Sequence, residues 1–173
     1  MSESKRTIRE ARKSDAAPVL AYLSRIAGET DFLTYGSVDE LQLTVEKEEA
    51  LFERYAKKDN AVFLVAEYDG TIVGTLNFEG GKRKRTAHVG EFGISVRKDY
   101  WGKGIGRALL SHLIHWSKKT GIIRKINLMA RSDNIRAIRL YESFGFVQDG
   151  LITRDLLIDG VFYSTVHMGL LID

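Results

Sequence analysis

The sequence predicts an α/β (α+β) fold: one domain over residues 1–173, with a mixed, largely antiparallel twisted sheet and helices on both faces. Three observations carry this expectation. The middle of the chain is a meander of strand-like runs. Asp-Gly pairs at 69–70 and 159–160 mark two hairpins, because both turn residues tolerate positive φ. Stripes of apolar residues at helical spacing fall before, between and after the strands, which rules against a purely parallel, doubly wound sheet.

The elements follow in order. "RTIREAR", residues 6–12, alternates as a first strand. Ser14 and Asp15 then offer side-chain oxygens to cap a helix running to about residue 28, with Pro18 in its first turn, where a missing N–H costs little. "GETDFLTYGS", residues 28–37, breaks the periodicity and reads as a loop. Ser37 and Glu40 make a capping box for a second helix to about Lys58, with Leu41, Val45, Leu51, Phe52 and Tyr55 as apolar positions. Strands follow at "AVFLVAEY", "TIVGTLNF" and, after the basic turn "GKRKRT", at "AHVGEFGISV". Ile105, Leu109, Leu113 and Trp116 give a helix over about 104–119, closed by Gly121. "KINLMA" is a strand, "NIRAIRLYESFG" a short helix stopped by Gly145, and two final strands flank Asp159-Gly160.

Composition bounds the chemistry. The 173 residues are 44% hydrophobic and 28% charged, as in an ordinary globular domain. Without cysteine there is no disulfide, thiolate metal site or cysteine nucleophile. The polar opening "MSESKRTIRE" has no apolar core of a signal peptide and no run is long enough to span a bilayer, so a cytoplasmic location with no membrane partner is expected. A net charge of +3 is too balanced to imply nucleic acid, and the "KRKR" of residues 82–85 lacks interleaved aromatics, so no nucleic-acid partner is expected. The four histidines are too scattered for a metal cluster, and no metal is expected.

The chemistry-bearing stretch is "RKDYWGKGIGRALL", residues 97–110. A strand that enters a glycine loop and then a helix presents unpaired N–H groups at the positive end of the helix dipole, a site for an anion. Gly102, Gly104 and Gly106 fit neither GxxxxGK[ST] nor GxGxxG followed by an acid about 20 residues later. Flanked by Arg97, Lys98, Lys103 and Arg107, they suit a pyrophosphate.

These residues resemble the GNAT superfamily of N-acetyltransferases, whose signature [RQ]xxGx[GA] is matched by "WGKGIG", with Trp101 at the Arg or Gln position. "NIRAIRLYESFGF", residues 134–146, resembles the second signature, N..A..LYe..GF, and the order of elements agrees along nearly the whole chain. The resemblance implies acetyl-CoA as co-substrate and transfer of its acetyl group, in a ternary complex, to a primary amine: a polyamine-like or aminoglycoside-like molecule, or a peptide or protein amine. It implies that amides of Gly102, Lys103, Gly104, Ile105, Gly106 and Arg107 hold the pyrophosphate. Ile94 and Val96 would pair with the pantetheine arm, and Asn134 would approach the cofactor. Tyr141 is the implied acid for the leaving thiolate. Asn134, Ile138 and Tyr141 share one helix face by spacing. Glu91, out of phase with Phe92, Ile94 and Val96, is the candidate base, with Glu29 and Asp31 as runners-up. Glu29, Asp31 and Phe32 border the implied acceptor site. A non-catalytic acyl-CoA-binding module is the alternative, and a homodimer through an exposed strand edge is a further expectation.

Overall fold

A computed structural model describes residues 5–173. The first four residues of the polar opening stretch, and the signal-peptide reading that falls on them, lie outside the described residues. Seven strands and four helices follow in the expected order: β1 (Arg6–Glu10), α1 (Ala16–Ile26), α2 (Val45–Ala56), β2 (Ala61–Tyr68), β3 (Thr71–Gly80), β4 (Val89–Val96), α3 (Ile105–Thr120), β5 (Lys125–Arg131), α4 (Ile135–Ser143), β6 (Val147–Ile158) and β7 (Val161–Leu171). They form one sheet in the order β1-β2-β3-β4-β5-β7-β6. Every neighbouring pair is antiparallel except β4 and β5. No helix among the described residues is long and apolar enough to cross a membrane.

The sheet buries both faces. On one, Leu64, Leu76, Phe78, Phe92 and Leu128 meet Leu109, Leu110 and Leu113 of α3 and Tyr141 of α4. On the other, Val65 and Ile72 meet Val19, Tyr22 and Ile26 of α1 and Phe52 of α2. β2 contributes to both cores, which is why "AVFLVAEY" is an almost unbroken apolar run. Asp69 (φ 50°) and Gly70 (φ 81°) turn the first hairpin, and Asp159 (φ 49°) and Gly160 (φ 78°) the second, as their sequence signals require.

Two expected helix starts differ. Asp15 stands before α1, but its carboxylate does not cap the helix; it turns back to the Arg9 guanidinium (2.7 and 2.9 Å) and the Arg12 N–H (2.6 Å). Arg9 also holds Glu67 of β2, so one guanidinium ties β1, β2 and the approach to α1. That contact keeps the Asp15 carboxyl below the usual carboxylate range. The expected helix from Ser37 is also interrupted. Ser37 caps only a 3-10 turn at Val38–Leu41, and the Glu40 carboxylate accepts from the Gly36 N–H instead of closing the box. Gln42 then takes a left-handed conformation (φ 48°), and Thr44 caps α2 anew by accepting from the Lys47 N–H (3.2 Å).

The feature that positions the site is the parallel pair. β4 stays in register with β3 from Gly90 to Val96, but meets β5 only at Val89, Gly90 and Glu91. Beyond Glu91 the two strands diverge. At the start of this stretch β4 lies so close to β3 that Gly90 is needed: a side-chain carbon there would run into the Glu79 carbonyl and lie 2.8 Å from the Phe78 ring. Gly90→Ala is therefore expected to destabilise the protein by roughly 1–3 kcal/mol or more, the cost of overpacking against backbone. Denaturant unfolding reads this, and an unchanged midpoint would mean the strands can shift to admit a methyl group.

Candidate active site

The Arg97 N–H donates to the Val73 carbonyl (2.9 Å), which fixes the phase of β4. Groups of odd-numbered residues face β3, and those of Phe92, Ile94 and Val96 face β5. Because β5 has moved away by then, the N–H and C=O of Ile94 and the N–H of Val96 have no strand partner. The Val96 carbonyl is taken by the Trp101 indole N–H (2.8 Å). This accounts for the tryptophan at the Arg or Gln position. It ties the end of β4 to the loop that follows, and its ring carries the Arg136 guanidinium at 5.0 Å.

The loop is shaped for backbone donation. Gly102 (φ 75°) and Gly104 (φ 76°) are left-handed, a conformation that costs other residues about 1–2 kcal/mol. The first helical bond runs from the Ala108 N–H to the Gly104 carbonyl (3.0 Å). Among the described residues, no backbone or side-chain acceptor meets the N–H groups of residues 102–107. Gly106 differs from the other two: its backbone is not left-handed, and a side-chain carbon there would meet Leu140 of α4 at an ordinary contact distance of 3.4 Å.

A cavity of about 810 Å³ joins this loop to the gap beside β4 and continues between the sheet and the α1–α2 side. Ile94, Val96, Gly102, Gly104, Ile105, Gly106, Arg107, Asn134 and Tyr141 all line it, as the sequence implies. The Asn134 side-chain oxygen caps α4 by accepting from the Ala137 N–H (3.3 Å), leaving its NH2 group available. Tyr141 is 6% exposed and packs edge-on against Phe92 and Phe146. Burial pushes its phenol up to about 12, so it keeps its proton at neutral pH.

Other expected residues stand elsewhere. The Lys103 ammonium lies over the rings of Tyr100 (4.6 Å) and Tyr68 (5.6 Å), and its side chain is absent from the cavity wall. Arg136, which sequence reasoning missed although it lies inside the second motif, lines the cavity beside the loop together with Arg107 and stacks on Trp101. Glu91 is exposed on the opposite face, as alternation requires, but does not line the cavity, so a direct role as base loses its geometric support. Glu29 lines the wall with its carboxylate already committed, accepting from the Arg25 Nε (3.2 Å) and from the Lys98 N–H (2.7 Å). Asp31 is absent from the cavity wall and offers only its carbonyl, to Arg131 (3.3 Å), whereas Phe32 lines the cavity and stacks on the same guanidinium at 4.5 Å. Arg131, also stacked on Tyr163 (4.0 Å) and paired with Asp133, pins the 28–37 loop to β5 and β7.

Tyr35 of the 28–37 loop and Glu48, which the sequence reading passed over, line the part of the cavity away from the glycine loop. Tyr35 is half-buried, and burial raises its phenol. Glu48 is 2% exposed, and burial raises its carboxyl above the usual range. Its signal was legible: Glu48 is in phase with Phe52 and Tyr55, four and seven residues on, a charge within a buried stripe. No group of acids and histidines among the described residues is arranged to hold a metal ion.

An open sheet with a parallel splay and an anion loop at a helix start defines an acyl-CoA-type transferase fold, and comparison with known proteins agrees. The acetyltransferase (GNAT) family profile matches residues 31–146. The L-amino acid N-acetyltransferase AaaT of Escherichia coli (strain K12) is 31% identical over 67% of this chain and 72% of its own length. A crystal structure of a GNAT-family acetyltransferase from Streptococcus pneumoniae superposes with a TM-score of 0.93 at 37% identity, covering 98% of this chain and all of that one. A phosphinothricin acetyltransferase from Sinorhizobium meliloti, solved with acetyl-CoA, shares the fold at 20% identity (TM-score 0.82; 96% and 88% covered). The chain belongs to the GNAT acetyltransferase family, and it is an acyltransferase whose donor is acetyl-CoA.

Trp101→Phe removes the indole donor and keeps a ring for Arg136. Losing that one bond is worth about 1 kcal/mol, so the thermal midpoint is expected to fall by roughly 2–4 °C. Scanning calorimetry checks it; an unchanged midpoint would mean the bond to Val96 contributes nothing.

Proposed function

We propose that this protein is an N-acetyltransferase that moves the acetyl group of acetyl-CoA directly to a primary amine, both substrates being bound at once. The observation that carries this reading is the single cavity in which free loop amides, the unpartnered edge of β4 and a protonated, buried phenol meet. Amides of residues 102–107 suit the pyrophosphate, with Arg136 and Arg107 as the nearest cations on the wall. The Ile94 N–H and C=O and the Val96 N–H suit an extended amide-bearing arm, received as an added strand. Acetyl-CoA supplies the activated acyl group. The amine nitrogen forms the new bond to the carbonyl carbon, the C–S bond breaks, and its electron pair leaves on sulfur.

Tyr141 donates its proton to that sulfur and is restored by the proton the amine loses, relayed through water, so that the amide and the free thiol are the only products. A thiolate of ordinary pKa about 8.5 is a tolerable leaving group, so the phenol's contribution falls at the lower end of general acid catalysis. The exposed Leu151, Leu157, Val161 and Phe162 of the β6–β7 hairpin are what supports a homodimer.

Calorimetric titration with acetyl-CoA is expected to give saturable binding; no binding would remove the reading. Tyr141→Phe is expected to keep that binding and to lower kcat and kcat/KM together by about 100-fold. Since burial raises the phenol to about 12, the parent is expected to show no fall in rate from Tyr141 ionisation up to about pH 10. Full turnover by the variant would remove Tyr141 from the chemistry, and acetyl-CoA binding without turnover of any amine would favour the acyl-CoA-binding module.

A further inference from the structure

The cavity's second lobe lies between the sheet and the α1–α2 side and has apolar and aromatic walls: Leu33, Tyr35, Leu43, Leu51, Tyr55 and Phe63. Four charged residues line the cavity as a whole: Glu29, Glu48, Arg107 and Arg136. Both arginines belong to the loop end, on α3 and α4, where Arg107 donates to Ser143 (3.1 Å) and Arg136 stacks on Trp101. Glu29 is committed to Arg25 and the Lys98 N–H. That leaves Glu48. It is 2% exposed, and among the described residues its carboxylate has neither a hydrogen-bond donor nor an ion-pair partner. Its position in the first turn of α2 gives only the weak favour of the helix dipole.

A buried carboxyl without a partner is costly, and replacing it by an apolar side chain would relieve the cost. The donor it lacks can come from an occupant of the lobe. The surroundings narrow the class: a carboxylate beside the rings of Tyr35, Tyr55 and Phe63 suits an ammonium, which gains from both the ion pair and the ring faces. An α-amino acid would instead bring a carboxylate into a lobe whose one uncommitted charge is negative.

Resting on the acetyl-transfer reading above, we infer that Glu48 selects the acceptor: an amine with an apolar body and a second cationic group, which Glu48 binds while the first amine is acetylated. Glu48 is thus a specificity residue, and the acceptor class is a diamine or an amine of similar double charge, not an amino acid.

The test compares 1,n-diaminoalkanes of three to eight carbons with monoamines and α-amino acids of matched length, in the parent and in Glu48→Gln. At the best chain length the parent's kcat/KM is expected to favour the diamine over the monoamine by about tenfold or more, the scale of one charge-assisted bond. In Glu48→Gln that ratio is expected to fall to about 1. A parent ratio near 1, a preference for the amino acid, or a ratio retained by Glu48→Gln overturns the inference. Thermal midpoints measured with saturating coenzyme A give a second readout, independent of turnover and of the variant's folding. A diamine that raises the parent's midpoint more than its monoamine does supports the inference, and one that does not overturns it. Failure of acetyl-CoA to bind would overturn the transfer reading itself, whereas intact binding with indifference to the second amine overturns only the role of Glu48.

Discussion

The structure depends on a failure of pairing. β4 meets β5 in parallel for three residues and then leaves it, while continuing its antiparallel ladder with β3. A buried strand edge with open donors and acceptors is ordinarily avoided, because each unmet backbone group costs as much as a lost hydrogen bond. Here the open edge leads into the amides at the start of α3, so the unmet groups of strand and helix converge on one cavity. Trp101 sits at the junction. By satisfying the Val96 carbonyl it closes the one edge group nearest the loop and leaves the others for an extended ligand.

The surrounding contacts hold that opening apart. On the far face, the Tyr22 hydroxyl bonds Ser95 (3.0 Å), and Ser95 bonds Thr75 (3.2 Å), which anchors α1 to β4 and β3 across the sheet. The Glu29 carboxylate bridges the end of α1 to the turn before the glycine loop. Arg131 clamps the 28–37 loop from the other strand of the splay. A smaller groove of about 390 Å³ beside α1, lined by Asp15, Arg25, Glu67 and Arg97, has its charges already matched within the protein. It needs no ligand to balance them. The larger cavity differs because Glu48 remains unmatched there.

Much of this was legible in the sequence, and the exceptions have physical reasons. Turns and strands were marked by residues whose local conformation is nearly obligatory, such as Asp69-Gly70 and Gly121, so the order of elements followed. The loop was legible because glycine spacing reports a backbone kept clear of side chains, whereas the Ile94–Val96 edge was implied only by the resemblance to the family. Roles that depend on which of several like residues comes close in space were not legible. Lys103 lies in the loop and Arg136 in the distant second motif, and only the fold shows that the first turns onto tyrosines and the second reaches Trp101 beside the loop. Glu91 followed the alternation of its strand correctly and still missed the cavity, because alternation gives a face but not a distance. Ser37 and Glu40 had the spacing of a capping box, yet the Gly36 N–H competed for the glutamate and the turn ended at Gln42.

The splayed edge of β4 and the amides opening α3 are expected to receive one ligand together. Amide hydrogen exchange with and without saturating acetyl-CoA tests it most directly. Added protection is expected at the amides of Ile94 and Val96 and across residues 102–107, with little change in β6 and β7. Binding that left Ile94 and Val96 exchanging as before, or that protected the loop without the strand, would contradict the account.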